Sequence, residues 1–106
     1  MKTYILNTPI LTQYGLWEFE GPLTVEQAQT LVMDGFISAV GHQATAETLT
    51  QILGIEIPTH RIEVNLLKGD RALIFRLRQR LPEGKVLNSA ELKNTQFELS
   101  LLTRIS

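Results

Sequence analysis

The stretch from Phe36 to Gly54 constrains this chain more than any other. Phe36-Ile37-Ser38-Ala39-Val40 is a short apolar run of strand length, and Gly41 ends it. From Thr45 onward Ala46, Leu49, Ile52 and Leu53 fall on one face at helical spacing, and Gly54 supplies the residue on which helices commonly close. The spacing predicts a strand over 36–40 and a helix over 45–53. A buried strand that passes through a glycine into an amphipathic helix is the building step of an α/β sheet.

The rest of the chain fits around that step. Thr3–Asn7 reads as a first strand, ended by Thr8-Pro9. Tyr14-Gly15 reads as a turn, and Leu16-Trp17-Glu18-Phe19-Glu20 alternates as a half-buried strand does. After the break at Gly21-Pro22, Thr24 and Gln27 have the spacing of a capping box, opening a helix that runs to about Asp34 and stops at Gly35. Ile62, Val64 and Leu66 alternate with Glu63 and Asn65, Lys68-Gly69-Asp70 turns, and Arg71–Arg80 returns, which predicts a hairpin. On the returning strand Leu73, Phe75 and Leu77 share one face and Arg76, Arg78 and Arg80 the other. Pro82-Glu83-Gly84 reads as a turn, Val86-Leu87 as a short strand and Asn88 with Glu91 as the cap of a short helix; Phe97–Arg104 is a last strand. The expectation is an α/β chain: one small domain over residues 1–106, with a mixed sheet of five or six strands and two or three helices.

A length of 106 residues suits a single core, and 43% apolar residues are enough to build it. No apolar run approaches the ~18 residues of a membrane span, and the N-terminal apolar stretch is too short for a signal peptide. The chain has no cysteine, so it can form neither a disulfide nor a thiolate metal site. The simplest expectation is a cytoplasmic protein without cofactor, metal or membrane. The net charge of −1 conceals a split, −5 over residues 1–58 and +4 over 59–106. The basic half suits an anionic ligand as well as an ordinary solvated surface.

Two places could carry chemistry. His42 lies between an apolar strand and a helix start, the edge at which ligands gather in α/β sheets. Helix N–H groups there favour phosphate, and a histidine beside them can act on a phosphodiester as general acid or base. The same position also suits a packing or capping histidine. Thr45 reads as the cap of the helix. The arginine row offers forks for phosphate oxygens or, equally, a solvated face paired with Glu63. Arg80 differs in adjoining a turn, with Glu83 three residues on. His60 beside Arg61 reads as surface structure. Walker loop, nucleophile elbow, paired metal-binding histidines and a two-metal acidic cluster are all missing from the sequence. Phosphodiester cleavage by such a chain would be metal-independent and would draw its nucleophile from a ribose 2′-hydroxyl.

Three stretches carry a resemblance: Asn7; Ala39-Val40-Gly41-His42-Gln43-Ala44-Thr45 with Leu49 and Leu53-Gly54; and Gln79-Arg80-Leu81-Pro82-Glu83-Gly84-Lys85-Val86-Leu87. In this order and separation they resemble the B116-like family of small archaeal-virus and bacterial proteins, which includes viral ring nucleases acting as type III anti-CRISPR proteins. The resemblance covers nearly the whole chain. It implies a homodimer that binds cyclic tetra-adenylate across its two-fold axis and cuts it, without metal, to linear di-adenylate with 2′,3′-cyclic phosphate ends. It assigns the catalytic acid to His42 and catalytic support to Glu83. Ligand contacts fall on Asn7 and Arg80, with Gly41 and Thr45 of the Gly-His-x-x-Thr segment beside them. The chain departs from the viral pattern at Pro9-Ile10-Leu11, where viral members carry a ligand-placing serine; Thr8 and Thr12 are its nearest hydroxyls. Two other readings of the same residues are a nucleic-acid-binding or regulatory homodimer that binds duplex without catalysis, and a protein that sequesters a cyclic nucleotide uncut.

Overall fold

The computed structural model describes residues 2–8, 11, 13–77 and 97–106. In chain order the elements are β1 (Thr3–Leu6), β2 (Trp17–Glu20), α1 (Val25–Val32), β3 (Ile37–Ser38), α2 (Gln43–Leu53), β4 (Arg71–Leu77) and β5 (Phe97–Arg104). They form one five-stranded mixed sheet in the order β2-β5-β4-β1-β3, with two helices, as the sequence predicts. β1 runs parallel to both β3 and β4, while β5 is antiparallel to β4 on one side and β2 on the other. The expected elements at 82–84, 86–87 and 88–91 lie outside the described residues.

β4 is the spine because both of its faces are apolar. Leu73 and Phe75 point to one side, where they are buried with Ile5, Leu99, Ala28 and Val32 of α1, and Ala46, Leu49 and Leu53 of α2. Ala72 and Ile74 point to the other side and are buried with Tyr4, Leu6, Val64, Leu66 and Leu102. A strand buried on both faces belongs in the middle of a sheet. The expected solvated arginine face therefore does not run the length of this strand: Arg76 is exposed, but Ala72 and Ile74 on the same side are buried.

The predicted hairpin does not form. β1 occupies one edge of β4 from Thr3↔Arg71 to Leu6↔Ile74, and β5 the other from Arg71↔Thr103 to Leu77↔Phe97, so no edge is left for residues 62–66. The alternation in that segment is real but does other work. Val64 and Leu66 are buried against the second face of the sheet while Glu63 and Asn65 are exposed, so the segment covers the sheet without joining its ladder. The turn that follows is fixed by Asp70. Its buried carboxylate accepts hydrogen bonds from the backbone N–H groups of Lys2 (2.9 Å) and Leu67 (3.0 Å).

α1 starts as predicted: Thr24 is the N-cap, and the reciprocal bonds Gln27 N–H to Thr24 Oγ1 (3.1 Å) and Thr24 N–H to Gln27 Oε1 (2.9 Å) complete the capping box. α2 starts earlier than predicted. His42 occupies the N-cap position, with extended backbone (φ −121°, ψ 127°) and its carbonyl accepting from Ala46 N–H (3.0 Å). Thr45 thus lies inside the first turn, half-buried, and is not the cap. The helix closes on Gly54 in the left-handed conformation (φ 68°), whose N–H returns to Thr50 O. β2 also departs from expectation. As the outermost strand it has one packed neighbour, and Phe19 remains 56% exposed where half burial was predicted.

Candidate functional site

Parallel pairing decides where the site lies. Because β1 runs alongside both β3 and β4 in the same direction, the C-terminal ends of all three strands open on one edge of the sheet. Asn7 follows β1 directly, half-buried at that edge. Gly41 and His42 follow β3 through Ala39 and Val40, and Ala39 N–H is bonded to Ile5 O (2.9 Å), which ties the two exits together. β4 leaves the described structure at this same edge with Leu77. Three segments distant in sequence therefore meet where an α/β sheet presents its ligand site.

His42 is exposed at the N-terminus of α2, and its side chain makes no capping bond. The first-turn N–H groups of a helix lack intrahelical partners and carry the positive end of its dipole. Here they receive no side-chain cap from the residue placed to give one. An anion seated over this turn would complete those donors, with an imidazole alongside it.

The segment after α2 adds a cation. Ser38 Oγ donates to Pro58 O (2.6 Å), His60 N–H donates to Val40 O (2.8 Å), and His60 Nδ1 donates to Ser38 O (2.7 Å). His60 is exposed, as a surface residue would be, but its bonds bind this segment to the exit of β3. The next residue is thereby fixed over Gly41: a Cβ built on Gly41 would meet Cγ, Cβ and Cδ of Arg61 at 3.2 to 3.7 Å. Glycine at 41 lets the Arg61 stem lie close on the strand–helix junction, which brings a cationic residue to the segment that opens α2. Arg61 is the site residue that sequence reasoning missed. It stands nineteen positions from His42 with no periodic signal, and only the Ser38–His60 clamp brings it near.

The remaining expected residues divide. Asn7, Gly41, His42 and Thr45 share the edge or the first turn of α2. Arg80 and Glu83, as well as Ile10, Pro9 and Thr12 of the departing segment, lie outside the described residues. Arg76, expected against Glu63, instead pairs with Glu98 on β5 at 3.1 Å, because β5 is its true neighbour. A groove of about 590 Å³ runs along the outer side of α2, lined by Glu47, Thr50, Gln51, Glu56 and Thr59 among others. Its two carboxylates, with no cation among the described lining residues, make it a poor seat for phosphate.

Comparison with known proteins agrees with this architecture. Residues 3–99 match the model of the STIV B116-like family. The chain belongs to that family. Among relatives in the family, uncharacterized protein 26 of Sulfolobus islandicus filamentous virus is 45% identical over 94 residues, spanning 83% of this chain and 78% of its own. YddF of Bacillus subtilis, also described as uncharacterized, is 31% identical over 108 residues and 99% of both chains. The solved structure of B116 from Sulfolobus turreted icosahedral virus superposes with a TM-score of 0.84 at 25% identity, covering 98% of this chain and all of that one. This B116-like chain thus shares its fold with viral B116 and has sequence relatives in viruses and a bacterium. Among its described residues no helix is long and apolar enough to cross a membrane.

Proposed function

We propose that this B116-like protein is a metal-independent ring nuclease, a homodimer that binds cyclic tetra-adenylate and cuts it into two linear di-adenylates, thereby modulating type III CRISPR signalling. The observation that carries the reading is His42. It sits exposed at the helix start where an anion is favoured, and its side chain is free of capping duty. The family resemblance of the Gly-His and Arg-Leu-x-Glu segments supports the substrate.

The reaction follows from the groups at hand. A ribose 2′-hydroxyl attacks the adjacent phosphorus in line and gives its proton to solvent water, the P–O5′ bond breaks, and the imidazolium of His42 gives its proton to the departing 5′-oxygen. The product ends in a 2′,3′-cyclic phosphate. Proton donation of this kind contributes about 10²–10⁴-fold. First-turn N–H groups of α2 and the Arg61 guanidinium would hold the charge on phosphorus, with Arg80 and Glu83 assigned ligand positioning and support by the resemblance. A two-fold dimer would set one His42 on each side of a symmetric ring, so that two opposite cuts follow.

Incubation of the purified protein with cyclic tetra-adenylate in EDTA tests the proposal: complete conversion to di-adenylate is expected. Tight binding with the ring left uncut would instead select the sequestering alternative, and salt-sensitive duplex binding with no affinity for the ring would select the nucleic-acid-binding one.

A further inference from the structure

The outer side of the sheet at β2 presents a second, unrelated feature. β2 is the end strand, paired with β5 from Trp17↔Arg104 to Glu20↔Leu101, and among the described residues no strand is paired to its other side. Its alternation sorts two chemistries onto two faces. Trp17 and Phe19 lie on one face, where Phe19 is 56% exposed; Glu18 and Glu20 lie on the other, both exposed. The two carboxyls are close enough to share a hydrogen bond, and that contact together with their mutual repulsion raises the Glu20 carboxyl above its ordinary range. Among the described residues neither carboxylate is in an ion pair; the ion pair there is Arg76–Glu98.

We propose that the β2 edge is a docking site for an extended polypeptide segment of alternating basic and apolar residues, which adds to the sheet as a further strand. Backbone groups on the free side of Trp17–Glu20 supply the ladder, as in other cases of strand addition. Lysine or arginine opposite Glu18 and Glu20 neutralises the carboxylate pair, and apolar residues between them cover Trp17 and Phe19. A second copy of this chain does not fit. Antiparallel strands related by a two-fold axis keep like faces together, so a β2–β2 contact would set Glu18 and Glu20 against the same carboxylates of the other copy. The complementary partner carries positive charge.

Trp17 is the single tryptophan and reports directly on this strand. The probe is a capped seven-residue peptide of alternating lysine and valine, titrated at neutral pH and low salt while Trp17 emission is followed, with amide exchange measured over residues 17–20. A saturable change and slowed exchange at β2 are expected, along with no response to the glutamate–valine counterpart. The double reversal E18K/E20K, checked for unchanged circular dichroism, is expected to weaken the lysine peptide at least about tenfold and to gain the glutamate peptide. If the reversal disturbs folding, E18Q/E20Q is expected to give a smaller loss of the lysine peptide without gaining the other. A native protein that gives no saturable Trp17 response, or a lysine-peptide response indifferent to both double variants, overturns the proposal.

Discussion

At the scale of single residues, the junction between β3 and α2 depends on two side chains and one missing side chain. His42 is left free by its own helix, Arg61 is laid across the junction, and Gly41 leaves room for it. A methyl group at 41 would press on the Arg61 stem at 3.2 Å, a contact that a flexible, exposed side chain relieves by moving away. Gly41→Ala is therefore expected to lower ring cleavage severalfold while costing less than about 1 kcal/mol of stability; cleavage rate and chemical denaturation measured on the same preparation check this. Arg61→Ala is expected to weaken binding of cyclic tetra-adenylate about tenfold through loss of one charge-assisted contact, with little change in melting temperature, as read by calorimetric titration. The sequence places His42 correctly between a strand and a helix, because a glycine, a histidine and a helix pattern are adjacent in it. It marks Thr45 wrongly as the cap. Gln43 and Ala44 tolerate helical conformation, so the helix begins as soon as His42 turns extended, two residues ahead of the apolar periodicity.

At the scale of elements, local signals translate faithfully and non-local ones do not. The Thr24–Gln27 capping box and the Gly54 terminus each depend on neighbours within four residues, and both are present as read. Thr24→Ala is expected to cost about 1 kcal/mol, measured by urea unfolding. The hairpin failed because the partner of β4 is β1, whose Thr3 pairs with Arg71 from 68 positions away, and alternation alone does not tell a ladder strand from a covering segment. β2 has a pH dependence of its own. The folded chain holds a proton on Glu20 more readily than the unfolded chain does, because Glu18 bonds to it and repels its charge. Stability contributed here is present at low pH and falls as pH rises through the raised value. Glu20→Gln is accordingly expected to raise the melting temperature at pH 7, and the gain is expected to shrink as the pH falls through the ordinary glutamate range. Melting curves of the two proteins across pH 3–8 check the sign.

At the scale of the molecule, two parallel strand pairings place the candidate site. With β1 set parallel to both β3 and β4, the exits at Asn7, Gly41-His42 and Leu77 fall on one edge, and the two helices cover one face together. The fold class and the final strand were legible from apolar patterning, since short apolar runs punctuated by glycine and proline admit few arrangements, whereas the apolar run at 62–66 reads as a strand and is not one. The meeting of Asn7 with Gly41-His42 at one edge was legible only through the resemblance, and the approach of Arg61 was not legible at all, because neither a local pattern nor a shared motif brings it to Gly41. The lateral edge of the sheet at β2 carries a different chemistry, aromatic rings on one face and paired carboxylates on the other. The proposed ligands differ accordingly: an anionic ring at the strand ends and a basic strand at the β2 edge. The central claim concerns the first. Comparing native protein with His42→Ala, each incubated in EDTA with cyclic tetra-adenylate, measures it most directly. The account predicts di-adenylate from the native protein, and from the variant binding within a few-fold of native with cleavage lowered by about 10² or more. Cleavage by the variant at the native rate would contradict it.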